Sequence, residues 1–160
     1  MQKNKTIIIS IVVIVVLSLF FYFSNKKTDQ AVSLSDFSYE KADILIEDVK
    51  IVADISDTSA KRGLGLSFRK SLKNNEGMYF VFDKPQVYAF WMKDMNFSID
   101  IIWINEDNKI VDITKDLSPE TYPNAFSPVS PARYVLEVPA GFSDENGINI
   151  GDEVIVSPIQ

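Results

Sequence analysis

The sequence predicts an all-β fold, a sandwich or partly open barrel with one or two short helices, preceded by a single N-terminal transmembrane helix. Three observations carry that prediction. Short runs of branched and aromatic residues recur from Ile44 onward, with turn-forming residues between them. Four of the seven prolines (Pro119, Pro123, Pro128 and Pro131) crowd into residues 118–131, where no central strand or helix can run. Residues 6–23 form eighteen consecutive positions without a charge, about 27 Å as a helix and close to the hydrocarbon thickness of a bilayer.

The apolar stretch is rich in Ile and Val, which favour strand in water. In lipid the backbone must satisfy its own hydrogen bonds, so helix is the stable form. Phe20, Phe21, Tyr22 and Phe23 close it, and Tyr22 suits the membrane interface. A cleaved signal peptide is the competing reading. It would have a shorter apolar run, roughly 7–15 residues, with a small-residue site directly after it. Here Ser24-Asn25-Lys26-Lys27 follow, and the nearest candidate site, Ala31-Val32-Ser33, lies well downstream. Residues 1–23 therefore read as a cytoplasmic N-terminus and anchor, with the acidic domain outside the cytoplasm at the cell membrane. Residues 24–43 are polar and mixed, a flexible linker reaching roughly 25 Å. Residues 44–160 form the β-rich extracytoplasmic domain.

Within that domain, 44–46 and 49–55 are short strand-like runs. Asp57-Thr58-Ser59 can cap a short helix reaching about Leu66, which Gly63 and Gly65 weaken. Residues 78–82 and 87–92 are strand-like and flank Asp83-Lys84-Pro85-Gln86, which has turn chemistry. Strands at 99–104 and 109–114 are joined by Asn105-Glu106-Asp107-Asn108 as a hairpin. The proline-dense 118–131 segment is an ordered surface loop, of a length that is often functional. Strand returns at 134–138, a helical turn opens at Pro139-Ala140-Gly141-Phe142 and closes near Gly147, and 152–157 is the last strand.

Composition removes whole classes of chemistry. The chain has no Cys and no His, so disulfides, thiolate nucleophiles and imidazole ligands or bases are absent. No resident metal or cofactor is expected. The net charge is −6, with 16 bases and 22 acids. Residues 1–27 hold Lys3, Lys5, Lys26 and Lys27 and no acid, which leaves −10 on the remainder. Such a domain repels phosphate backbones, so no nucleic-acid partner is expected.

Candidate functional residues cluster around 90–104, which holds both tryptophans. Alternation sets Asp100 with Ile102 and Ile104, opposite Ile99, Ile101 and Trp103. If both faces are covered, Asp100 is a buried carboxylate and must meet a cation or several N–H donors. Arg62, Arg69, Lys93 and Arg133 are the cations available. The carboxylate is then either a structural anchor or an acid facing a ligand. Trp91 and Lys93 share a face if their strand is regular, where the indole could stack on a ligand or simply pack in a core. Ser67-Phe68-Arg69-Lys70 fits the S-x-x-K pattern of serine–lysine acyl enzymes, but the accompanying S-D-N and K-T-G elements are missing. Glu106-Asp107-Asn108 lacks the glycine and final glutamate of a calcium loop and reads as a solvated turn.

Several short motifs appear in one order: Arg62-Gly63-Leu64, Gly77-Met78 with Phe80-Val81-Phe82, Phe90-Trp91-Met92-Lys93, Ile99-Asp100-Ile101, and Pro131-Ala132-Arg133-Tyr134-Val135-Leu136-Glu137. With Gly141, Gly147 and Gly151-Asp152 they resemble the prokaryotic family called domain of unknown function 192, over about residues 45–157. The resemblance implies a compact β-rich domain, often exported or membrane-tethered, and implies no activity. It places the family's recurring polar positions on Arg62, Arg69, Lys93, Asp100, Arg133 and Glu137. Two departures matter. Ser98 stands where the family often has proline, and the cysteine pair that some members carry in the proline-rich loop is missing. A thiol or disulfide role is therefore not essential here.

The reading that results is a membrane-anchored extracytoplasmic module that binds a small molecule, a glycan or an envelope protein. Trp91, Lys93, Asp100 and Arg133 would form the site, rimmed by the 118–131 loop, with Arg62, Arg69 and Glu137 as supporting polar groups. The alternatives are an enzyme of hydrolase or isomerase type using Asp100 with Lys93 or Arg133, and a structural accessory subunit.

Overall fold

In the computed structural model, residues 37–158 are described. The expected transmembrane helix and most of the linker lie outside them. Among the described residues no helix is long and apolar enough to cross a membrane.

The domain is mostly β, with two short helices. Its strands are β1 (Lys41–Ile46), β2 (Val49–Ser56), β3 (Glu76–Gln86), β4 (Phe90–Trp91), β5 (Ile99–Ile104), β6 (Ile110–Leu117), β7 (Ala125–Phe126), β8 (Ala132–Pro139) and β9 (Val154–Pro158). Helix α1 spans Ser59–Leu64 and α2 spans Phe142–Glu145. Seven strands form one sheet in the order β6-β5-β8-β3-β2-β1-β9, while β4 and β7 pair separately. Neighbours are antiparallel except β2 and β3, which run parallel with α1 in the crossover between them.

The sheet curls until its outer strands approach. Lys109 bridges Glu153, and Val154 donates its N–H to the Asn108 carbonyl at 2.9 Å. Every strand of the sheet sends side chains to one inner core, including Ile44, Ile51, Tyr79, Ile102, Ile110, Leu136 and Val154. A second core lies on the outer face, where Met78, Phe80, Ile101, Trp103, Val135 and Met92 pack together. Both faces of β5 are thus covered, and all six of its residues are buried. The Trp103 indole N–H, buried with its ring, donates to Thr114 Oγ1 at 2.9 Å.

Several local expectations change. The turn expected at 83–86 does not form: β3 continues through Gln86, and its register against β8 shifts between Val81 and Gln86. A proline is tolerated at such an irregularity because no ladder N–H is required there. The strand expected at 87–92 shrinks to Phe90–Trp91, and the 118–131 loop contains a 3-10 turn at Pro119–Thr121 and the short β7. The first strand starts at Lys41, inside the expected linker, and Phe37 and Tyr39 stack just ahead of it at 6.2 Å.

Candidate functional site

Asp100 meets backbone donors rather than a cation. Its Oδ1 accepts from Asp116 N at 3.0 Å and Gly141 N at 3.1 Å, and its Oδ2 accepts from Ser143 N at 3.0 Å. The carboxylate is fully buried. It ties the end of β6 and the start of α2 to β5, and this bonding describes a structural anchor.

A different carboxylate lines the cavity of the domain. Glu137 lies between Met78 of β3 and Ile101 of β5 in the pairing register. Its neighbours Leu136 and Val138 belong to the inner core, so alternation sends Glu137 to the outer face. There it lines a cavity of about 280 Å³ with the 62–67 segment, Phe80, Phe82, residues 88–91 and Met95. Glu137 is only 6% exposed, and its Oε2 has no hydrogen-bond partner among the described residues. Burial pushes its carboxyl up to about 8, with the Arg69 charge pulling the other way. An acid with that environment is mostly protonated at neutral pH.

The walls owe their shape to local chemistry. Thr58 caps α1 by accepting the Lys61 N–H, and Gly65 ends the helix at φ 54°, a conformation that side chains resist. Gly65 then passes over the Phe80 ring, where an added Cβ would come within 3.7 Å. Three hydrogen bonds join the two wall segments. Ser67 Oγ donates to the Lys93 carbonyl at 2.8 Å, Phe68 N to the Asp94 carbonyl at 2.8 Å, and Asn96 Nδ2 to the Arg69 carbonyl at 2.9 Å. Aromatic contacts fill the rest. Phe82 stacks on Tyr88 at 3.7 Å, and Phe90 meets Phe80 edge-on at 5.0 Å.

Of the four residues expected to form the site, Trp91 alone lines this cavity. It stands 57% exposed at the rim, edge-on to Tyr122 of the proline-dense loop at 6.2 Å, and β7 holds it through the Trp91–Ala125 pair. Lys93 contributes its carbonyl to the wall bonding, while its side chain is exposed and is not among the lining groups. Arg133 sits 5.5 Å from the Tyr134 ring, beside the Tyr79–Tyr134 stack of the inner core.

The supporting residues divide as well. Arg62 lines the cavity, but its Nη1 donates to the Asp57 and Val81 carbonyls at 2.7 and 2.8 Å, and its guanidinium lies 5.1 Å from the Phe82 ring. Arg69 pairs with Asp54 at 2.7 Å and covers Tyr39. Burial works against ionising Asp54, yet hydrogen bonds from Lys41 and Arg69 hold its carboxyl below the usual range. Among the described residues no group of three or more His, Cys, Asp or Glu could hold a metal ion.

Tyr88 and Met95 carry no signal in the sequence, Ser67 stands out there only as part of the S-x-x-K pattern, and Phe80 and Glu137 only through the family resemblance. The Tyr134-Val135-Leu136-Glu137-Val138 run carried a signal of the same kind as Asp100: one acid in an apolar strand.

The fold and cavity define a small curled-sheet domain with an aromatic pocket on its outer face. Residues 42–156 match the model of DUF192, described as "Uncharacterized ACR, COG1430". The chain belongs to that family. It is 28% identical over 113 residues to a UPF0127 protein of Pyrococcus furiosus, covering 68% of this chain and 89% of the relative. A UPF0127 protein of Pyrococcus horikoshii is 29% identical over 105 residues, covering 62% and 83%. A solved structure of a protein of unknown function from Novosphingobium aromaticivorans superposes with a TM-score of 0.68 at 26% identity, covering 82% of this chain and 98% of that one.

Proposed function

We propose that this chain is a membrane-anchored, extracytoplasmic module that binds a small molecule in the aromatic pocket lined by Glu137. The observation that carries the reading is Glu137, a buried acid that lines an aromatic-walled cavity and whose Oε2 has no hydrogen-bond partner among the described residues. Leaving such a group unpaired costs stability, and a ligand that bonds to it recovers that cost. The cavity, about 280 Å³, lies just below the roughly 300–1,000 Å³ usual for small-molecule sites, so the ligand is small. One carboxyl without a second free titratable partner suits binding better than chemistry, because Arg62 is committed to main-chain carbonyls.

A thermal-shift screen of the full chain against small molecules tests the reading. For any compound that binds, Trp91→Ala weakens affinity by roughly 1–3 kcal/mol, as for aromatic anchors generally. The domain's melting point stays unchanged, because Trp91 is largely exposed. Unchanged affinity in that variant removes the pocket from the reading. The anchor has its own test. Full-length protein stays in the membrane fraction after carbonate extraction, and external protease releases the domain by cutting within 24–43. A mature N-terminus near Leu34 contradicts it.

A further inference from the structure

We infer that the pocket's occupant is a small organic cation, an alkylammonium or quaternary ammonium, with Glu137 as its counter-ion and the aromatic walls around its carbon atoms. This rests on the binding reading above and names the ligand class for the same pocket. Five aromatic residues line the cavity: Phe80, Phe82, Tyr88, Phe90 and Trp91. Ring faces are electrostatically negative and attract a cation within about 6 Å, most strongly where water is excluded. Glu137 is the one acid among the lining residues, and its Oε2 is sealed and unpartnered. A cation satisfies both features at once, whereas a neutral apolar ligand leaves the carboxyl unpaired.

The cations nearby do not form an anion site. Arg62 donates from Nη1 to two carbonyls, its Nη2 is directed to Ser59 Oγ at 3.4 Å, and Arg69 is paired with Asp54. The surrounding field agrees with the assignment. With Lys3, Lys5, Lys26 and Lys27 set aside, the chain carries −10, which concentrates cations near its surface.

The groups facing Glu137 are few. β3 presents Met78 and β5 presents Ile101, both uncharged. The 62–69 segment brings the Arg69 charge, and Arg62 lines the same cavity, while the Tyr88 phenol in that lining donates to the Lys84 carbonyl at 2.7 Å. A permanent cation entering this pocket therefore displaces the Glu137 proton to water. Affinity then climbs with pH until the carboxyl is already ionised in the free protein. A neutral ligand that accepts a hydrogen bond from the protonated carboxyl shows the opposite trend.

The test is calorimetric titration of the full chain in a non-ionic detergent. The probes are choline and benzylammonium, each beside its neutral isostere, 3,3-dimethylbutan-1-ol and benzyl alcohol. At least one cation binds about tenfold or more tighter than its isostere, and tightens by about tenfold or more from about pH 6 to about pH 8.5. Glu137→Gln abolishes that preference while leaving the weak alcohol binding in place. Isosteres that bind as tightly as the cations, or cation affinities unaffected by Glu137→Gln, overturn the cation assignment and leave the small-molecule reading standing. Absence of binding by all four probes also overturns the assignment. The broader reading falls with it only if the thermal-shift screen is blank too.

Discussion

Asp100→Ala lowers the unfolding free energy by about 3 kcal/mol or more, because three backbone N–H groups lose their acceptor at once. Each buried donor left unsatisfied costs roughly 1–3 kcal/mol, and the residue has no exposure through which water could substitute. Asp100→Asn loses less. Its single carbonyl oxygen can still serve Asp116 and Gly141, while the amide confronts the Ser143 N–H. Asp107→Leu, on the exposed β5–β6 turn, stays within about 0.5 kcal/mol. Urea unfolding of the three variants checks the order. Equal losses at Asp100 and Asp107 would show that the carboxylate clamp contributes nothing to stability.

Glu137→Gln has the opposite sign and depends on pH. In the folded protein the carboxyl is held near 8, against 4.5 in its ordinary state. Between those values the unfolded chain has released the proton and the folded one keeps it, so stability falls as pH rises and levels off above about 8. Each unit is worth about 1.4 kcal/mol, which puts the full penalty on the order of 5 kcal/mol for this buried group. Glu137→Gln removes it. The variant should match the parent near pH 4 and exceed it by about that amount near pH 9, as read from urea midpoints in both buffers. A parent whose midpoint is flat between those pH values would show that Glu137 is solvated.

Asp100 and Glu137 show how far the sequence reaches. Each is a single acid in an apolar run, and alternation correctly places Asp100 on a buried face beside Ile102 and Ile104. Their fates differ because of what arrives from elsewhere. Backbone donors at 116, 141 and 143 converge on Asp100, while Glu137 Oε2 meets no donor among the described residues. No spacing along the chain encodes that difference. Local chemistry was more legible. The capping by Thr58, the 105–108 hairpin and the helical turn after Pro139 all depend on near neighbours, and all appear.

The site residues follow the same division. Trp91 stands at the pocket rim, but Lys93 and Arg133 could not be placed from residue type alone. Which side chains share a cavity is set by the bonds between 67–69 and 93–96, which join positions more than twenty residues apart. The overextended β3 has a similar cause. Pro85 and its neighbours have turn chemistry, yet the shifted register against β8 lets the strand run on.

Both cores meet along β8, where Leu136 and Val138 fill the interior and Glu137 serves the pocket between them. The alternation divides labour along one strand. Everything else that shapes the pocket comes from β3 and from two segments fastened to each other outside the curled sheet. Such a domain is modular in the engineering sense. The wall segments can be exchanged as a matched pair, with their three mutual hydrogen bonds, while the interior that folds the chain is left unaltered. A graft of 62–69 and 88–96 from a relative would then transfer ligand preference without redesigning the scaffold, and a graft of either segment alone would break the seam between them.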